Sequence, residues 1–187
     1  MNLHLGCGKR YIPGFVHIDR AKYDHITHVC SFEKLPFIKS DTVDLIYCSH
    51  GIQYFDRFEI IPILKEWKRT LKPTGILRLA VPDFSVLSKL YDTEGLEKVI
   101  GPLFGRIQIN EERGEEWIYH RTVYDFELLR STLHSAGFKI VKRYDWKKTI
   151  HQDYDDCSQA YIPHMDKKNG TLISLNVEAR IGSAHEF

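Results

Sequence analysis

Short apolar runs that end at turn residues recur along the first half of this chain. Five of them are strand candidates, at residues 3–5, 15–18, 26–30, 43–48 and 75–81. Between the last two runs, apolar residues recur at the spacing of one helix face: Ile60, Leu64, Trp67 and Leu71. Because strands that alternate with helices are joined by crossovers, this order predicts an α/β fold with a doubly wound, mainly parallel sheet.

The second half of the chain continues the alternation. A helix is predicted near 83–91, and another between Asp125, a favourable N-cap, and a stop at Gly137. Two more strands are predicted at 138–144 and 172–179. These elements complete one continuous domain.

Length, charge and cysteine usage limit the class of protein. The 187 residues suffice for one domain, predicted over residues 1–181 and followed by a tail at 182–187. Its 26 Lys and Arg residues nearly balance 25 Asp and Glu residues, which disfavours a dedicated nucleic-acid binder. No apolar run approaches the roughly 18 residues of a membrane span. Four scattered cysteines and an N-terminus without signal features predict a cytoplasmic protein with reduced thiols.

A glycine turn follows the first predicted strand. In an open parallel sheet, ligands bind beyond the carboxyl ends of the strands, where Gly6 and Gly8 would let backbone amides approach a ligand. Asp19 follows the second strand and can accept hydrogen bonds from a ribose diol. A plain tight turn and a solvated acid are the alternatives for these residues.

Two phosphate-binding fingerprints fail at this turn. The dinucleotide fingerprint requires glycine where the chain has Tyr11, and the phosphate-loop motif requires Ser or Thr where it has Arg10. A nucleoside without a pyrophosphate remains as the expected ligand.

The ordered motifs of residues 3–83 resemble class I S-adenosylmethionine-dependent methyltransferases. The motifs are 3–8 (LHLGCG), Asp19, 34–37 (KLPF), 43–46 (VDLI), 71–77 (LKPTGIL) and 81–83 (VPD). The resemblance implies S-adenosylmethionine as the cofactor and a Rossmann-like sheet whose last strand is antiparallel.

The resemblance also implies which residues hold the cofactor. Gly6 and Gly8, with their neighbours Leu5 and Cys7, would lie near its methionine part, and Asp19 would bind the ribose. Ser31 stands where the family often has an acid that meets the adenine amine, so that contact is weakened or rebuilt. Ser49 and His50 would lie beside the sulfonium and the methyl acceptor. The full set is Leu5, Gly6, Cys7, Gly8, Lys9, Arg10, Asp19, Ser31, Ser49 and His50.

The first crossover departs from the family pattern. Residues 9–15 contain Pro13 and Gly14 and are fewer than the dozen that a helical crossover usually takes, so the first helix is predicted to be shortened or absent. Its N-terminal dipole would then be lost. Lys9 or Arg10 is hypothesised to supply the missing positive charge to the cofactor carboxylate; the alternative is that both are solvated.

Methyl transfer from a sulfonium depends mostly on alignment, although an oxygen acceptor also profits from a general base. His50, after the fourth strand, is the first candidate base, and His120 and Asp83 are second choices. The alternative for His50 is a hydrogen-bonded packing role. Residues 145–171 form a long connection that is predicted to cover the acceptor. No metal site is predicted there, because acidic loops are usually solvated.

The leading functional hypothesis is S-adenosylmethionine-dependent methyl transfer to a small-molecule or glycan-like acceptor; the glycan suggestion comes from the resemblance alone. The competing hypothesis is a catalytically silent nucleoside-binding or partner-binding domain of the same fold. Neither a membrane nor a nucleic acid is favoured as a partner, and the sequence does not indicate an oligomeric state.

Overall fold

A computed structural model of the protein describes residues 1–111 and 114–182. Of the predicted tail, residues 183–187 lie outside the described residues. Eleven strands occur in the described part of the chain: β1 Asn2–Leu5, β2 Phe15–Asp19, β3 His28–Val29, β4 Val43–Ser49, β5 Leu71–Pro82, β6 Ile107–Glu111, β7 Gly114–Ile118, β8 Ile140–Arg143, β9 Tyr161–Ile162, β10 Thr171–Leu172 and β11 Ser174–Arg180.

Seven of these strands form the central sheet, in the order β3-β2-β1-β4-β5-β11-β8. The strands β1 to β5 run parallel, and β11 is antiparallel to both of its neighbours, β5 and β8. The predicted α/β class and the mainly parallel sheet with an antiparallel last strand are therefore confirmed.

Four α-helices accompany the sheet: α1 Ile60–Thr70, α2 Phe84–Glu94, α3 Leu96–Phe104 and α4 Phe126–Ser135. Local chemistry explains where α2 and α4 begin, because the Asp83 carboxylate accepts the Ser85 amide at 3.0 Å and the Asp125 carboxylate accepts the Leu128 amide at 2.8 Å. The stripe of apolar residues in α1 is buried, as its spacing predicts. None of the described helices is both long and apolar enough to cross a membrane.

One face of the sheet carries the main apolar core. Alternate residues of β1, β4, β5 and β11 point to this face and pack against α1 and α4, so that Trp67 and Leu133 are fully buried. Turns connect β1 to β2, and the described residues 6–14 contain no helix. The opposite face therefore lacks the usual first crossover helix, and residues 145–173 pack over it instead.

Candidate cofactor and acceptor cavity

A cavity of about 1190 Å³ opens where β1 to β4 end at their carboxyl edge. Gly6, Asp19, Ser31 and Gly51, which follow or close these four strands, all line it. Its volume exceeds the ~300–1,000 Å³ of an ordinary small-molecule pocket, so it has room for more than one ligand.

The glycine turn forms one wall of this cavity. Gly6 and Gly8 have φ angles of +62° and +52°, in the left-handed region that favours glycine. A Cβ atom on Gly6 would lie 3.1 Å from the Phe32 ring, whereas one on Gly8 would meet nothing within 4 Å. The turn is thus held by backbone conformation at both positions, and the space beside Gly8 stays open.

Asp19 joins the glycine turn to the end of β2. Its Oδ2 atom accepts the Gly8 amide at 2.7 Å and its Oδ1 atom accepts the Ala21 amide at 2.8 Å. The side chain is only 9% exposed, yet it lines the cavity. Because each carboxylate oxygen can accept more than one hydrogen bond, two further acceptor positions remain for a ligand diol.

Ser31 lies in the cavity wall together with two neighbours that sequence reasoning did not single out. The Glu33 carboxylate accepts the Ser31 hydroxyl at 2.9 Å, which places an acid beside Ser31 in the cavity wall. The Phe32 carbonyl accepts the Trp67 indole N–H at 2.8 Å, and this bond fixes the backbone of the segment against α1.

The far wall consists of the start of α1 and the hairpin formed by β6 and β7. Arg20, after β2, pairs with Glu116 of the hairpin at 3.0 Å. Arg121, just after the hairpin, pairs with Glu59 at 3.7 Å, and its amide donates to the Gln53 carbonyl. These contacts hold the hairpin across the cavity from β2 to α1.

His120 is the one catalytic candidate that lines the cavity. Its Nδ1 atom lies 3.2 Å from the Leu103 carbonyl oxygen, so Nδ1 donates and the Nε2 lone pair accepts the Gln53 side-chain amide at 3.3 Å. Burial lowers the pKa of His120, and the imidazole is therefore neutral near pH 7. Gln53, which is fully buried, positions a neutral ring beside Tyr54.

The other two catalytic candidates lie outside this cavity. His50 follows β4 with its Nε2 atom 3.2 Å from the Ser174 hydroxyl, and burial lowers the pKa of His50 to about 3. Asp83 is nearly buried, caps α2 and lies 3.3 Å from the Arg143 guanidinium. Both side chains already have structural partners. Their positions at strand ends did not indicate these partners, which lie far away along the chain.

Several predicted cofactor residues are also outside the cavity wall. Leu5 and Cys7 are buried in the protein, whereas Lys9 and Arg10 are exposed to solvent. The Ser49 hydroxyl lies 3.4 Å from the Asp156 carboxylate on the second face of the sheet.

The 145–171 connection does not line the cavity either. It packs on the second face of the sheet, where Asp156 accepts the Tyr47 hydroxyl and Asn176 donates to the Ser158 carbonyl at 2.9 Å. The wall opposite the glycine turn includes the hairpin, which sequence reasoning missed, and a role of residues 145–171 in covering the acceptor stays a prediction. The alternation of Ile107 and Ile109 around Gln108 was the available signal, but it is only three residues long.

The comparisons with known proteins agree with this geometry. Residues 11–79 match the family model described as a methyltransferase domain. No curated protein sequence matches the chain.

Three solved structures show the extent of the structural likeness. The DhpI complex with S-adenosylhomocysteine is 10% identical, with a TM-score of 0.53, covering 97% of this chain and 76% of that one. An S-adenosylmethionine-dependent methyltransferase from Methanosarcina mazei is 17% identical, with a TM-score of 0.53, covering 96% and 92%. A chain of the complex containing the Haloferax volcanii Trm112 methyltransferase activator is 16% identical, with a TM-score of 0.51, covering 100% and 83%.

The domain match and the shared fold confirm the predicted resemblance to class I S-adenosylmethionine-dependent methyltransferases. They support S-adenosylmethionine as the cofactor and methyl transfer as the general activity.

Proposed function

We propose that this protein binds S-adenosylmethionine in the cavity at the carboxyl edge of the sheet and transfers its methyl group to a small-molecule acceptor. One observation carries the proposal: the open glycine turn and the Asp19 carboxylate, joined by the Gly8 hydrogen bond, line the same cavity as Ser31. This arrangement suits a nucleoside whose ribose hydroxyls donate hydrogen bonds to the Asp19 carboxylate.

Each part of the cofactor has a partner in this proposal. Asp19 accepts hydrogen bonds from the ribose hydroxyls, while Glu33, beside Ser31, accepts one from the adenine amine. The open side of Gly8 faces the methionine part. Lys9 and Arg10 line no part of the cavity, so this arrangement does not depend on them.

The chain's own contribution to the reaction is alignment, because the sulfonium is already an activated leaving group and attack on its methyl is in line. His120 is the side chain best placed to take a proton from an acceptor, since it is neutral and lines the cavity. Its Nε2 lone pair becomes available when the Gln53 amide moves aside. We assign His50 and Asp83 supporting roles through Ser174 and the α2 cap.

Calorimetry with S-adenosylhomocysteine tests the proposal. Asp19→Ala removes both the ligand acceptor and the bond that holds Gly8, so we expect at least a ~10-fold loss of affinity, in line with ~1.5–3 kcal/mol for hydrogen bonds to a charged group. Asp24→Ala is the matched control, because Asp24 is exposed and lies outside the cavity wall.

Two outcomes would count against this function. Wild-type protein that fails to bind the product at high micromolar concentration would remove the cofactor site altogether. Binding without methyl transfer to any acceptor in a broad small-molecule screen would favour the catalytically silent nucleoside-binding domain.

The four cysteines are free thiols in the structure, and a cytoplasmic location stays a prediction.

A further inference from the structure

The part of the cavity nearest the hairpin is mainly apolar. Its wall there includes the aromatic and aliphatic side chains Phe55, Phe58, Pro62, Ile63, Ile107 and Ile118. The cofactor contacts proposed above use the opposite end, at the glycine turn, Asp19 and Ser31. A second compartment therefore remains between α1 and the hairpin.

The hairpin turns an apolar face toward this compartment. Ile107 pairs with Ile118 in the antiparallel register, and Ile109 pairs with Glu116, so these four side chains share one face of the hairpin. Glu116 forms its ion pair with Arg20, which lies across the cavity after β2. The three isoleucines of this face all line the cavity, as do Gln108 and Trp117 from the other face of the hairpin.

Charged groups in the wall are largely matched with one another. The described residues that line the cavity include four cationic and five acidic side chains. Six of these charged side chains form three ion pairs: Arg20 with Glu116, Arg121 with Glu59, and Arg69 with Glu66 at 2.8 Å. A wall with this balance offers little attraction to an anionic ligand such as a nucleic acid.

The uncharged polar side chains in this part of the wall are Tyr54, Gln108, Trp117, Tyr119 and His120, and three of them are mainly apolar aromatic rings. Gln53 and His120 hydrogen-bond to each other, and His120 also bonds the Leu103 carbonyl. A glycan needs several hydrogen-bond partners to replace its lost water, whereas an apolar ligand gains from the aliphatic and aromatic wall.

We propose that the methyl acceptor is an uncharged, hydrophobic small molecule that binds between the start of α1 and the isoleucine face of the hairpin, with its nucleophilic atom directed toward His120. The inference rests on the proposed function, and it narrows the acceptor away from the glycan-like class that the sequence resemblance suggests.

N-phenyl-1-naphthylamine, a neutral fluorescent probe of apolar sites, tests this assignment in protein saturated with S-adenosylhomocysteine. We expect saturable binding by the wild type and about tenfold weaker binding by Ile107→Asn, because a polar amide replaces an apolar wall residue. Ile100→Asn is the matched control: Ile100 is 45% exposed against 47% for Ile107, but it lies on α3 and outside the cavity wall. Both variants should bind S-adenosylhomocysteine as the wild type does, which shows that they are folded.

The outcomes separate the two proposals. If the wild type saturated with S-adenosylhomocysteine does not bind the probe, the hydrophobic acceptor compartment is refuted and the proposed function stands. An equal loss of probe binding in the two isoleucine variants refutes the compartment as well, as does displacement of the probe by maltose. Failure of the wild type to bind S-adenosylhomocysteine refutes the proposed function itself.

Discussion

The two faces of the central sheet differ in how many polar side chains they bury. On the face that packs against α1 and α4, β1 contributes Leu3 and Leu5 to a continuous apolar core. On the other face, the intervening residue of the same strand is His4, and the corresponding residues of β2 and β4 are His17 and Tyr47. All of these side chains are buried, so burial alone does not distinguish the faces.

The polar face is held by specific pairs. Arg78 of β5 donates through Nη2 and Nε to the Glu178 carboxylate of β11, at 2.7 and 3.1 Å. Tyr47 stacks on His151 with ring centroids 4.0 Å apart, and it donates its hydroxyl to Asp156. Burial raises the pKa of both Tyr47 and Asp156 above their ordinary values.

The difference follows from what covers each face. A helix satisfies its own backbone hydrogen bonds, so α1 and α4 need only apolar contacts from the sheet. The 145–173 segment is largely irregular, and its backbone and polar groups need partners such as Asn176, which donates to the Ser158 carbonyl. Where the first crossover helix is absent, the sheet therefore combines a small apolar cluster of Ile12, Phe15 and Leu45 with buried hydrogen bonds and the Arg78–Glu178 ion pair.

The largest expected effect of breaking this polar face comes from Glu178→Gln. The change leaves the Arg78 guanidinium buried without its anion, and removal of one partner of a buried pair costs ~3–5 kcal/mol of unfolding free energy. Urea denaturation measures the loss as a lower midpoint. The matched control is Glu127→Gln in α4, whose pair with Arg130 is largely exposed and contributes less than ~1 kcal/mol.

Equal losses of unfolding free energy in Glu178→Gln and Glu127→Gln would show that the buried ion pair stabilises the fold no more than an exposed one. In that case the polar face would be held by its histidine and tyrosine contacts together with the apolar cluster of Ile12, Phe15 and Leu45.

A smaller effect is expected in the pH dependence of stability. Burial lowers the pKa of His4 and of His151 to about 3, against about 6.5 in an unfolded chain. Between these values the unfolded chain binds more protons, so stability is fully present above pH ~6.5 and decreases as the pH falls. Each such histidine contributes up to ~1.4 kcal/mol per pH unit.

The variant His151→Phe keeps the stacked ring on Tyr47 and removes one titrating group, so we expect the slope of stability against pH between 4 and 6 to fall by about one proton. Trp146→Phe, in the same segment, should keep the wild-type slope. An unchanged slope in His151→Phe would mean that His151 is not buried in its neutral form.

The smallest expected effect concerns Arg10, at the rim of the polar face. It is exposed, lies outside the cavity wall and acts electrostatically on Cys157 of the 145–173 segment. Arg10→Ala should therefore change the affinity for S-adenosylhomocysteine by less than about twofold. A tenfold loss in calorimetry would restore the hypothesis that this guanidinium replaces the missing helix dipole at the cofactor.

Features set by short-range chemistry were predictable from the sequence. The α1 stripe, the Asp125 cap and the glycine turn each depend on residues a few positions apart, whereas Asp83, predicted as a catalytic candidate, caps α2. The helix α3 was missed because Gly101 and Pro102 weaken its helical signal. The position of Asp19 at the carboxyl edge of the sheet was predictable, but its bond to the Gly8 amide, eleven positions away, emerged only in the folded chain.

By itself, the sequence determined the alternation of strands and helices up to α2, the conformation of the glycine turn and the absence of room for a first crossover helix, because backbone sterics and local hydrogen bonds act within a few residues. The tertiary structure alone decided that the hairpin lines the cavity, whereas residues 145–171 pack on the other face of the sheet. That choice depends on contacts such as Arg20 with Glu116 and Tyr47 with Asp156, which join residues about a hundred positions apart. No local pattern encodes such partners, since they meet only when the sheet brings distant strands together.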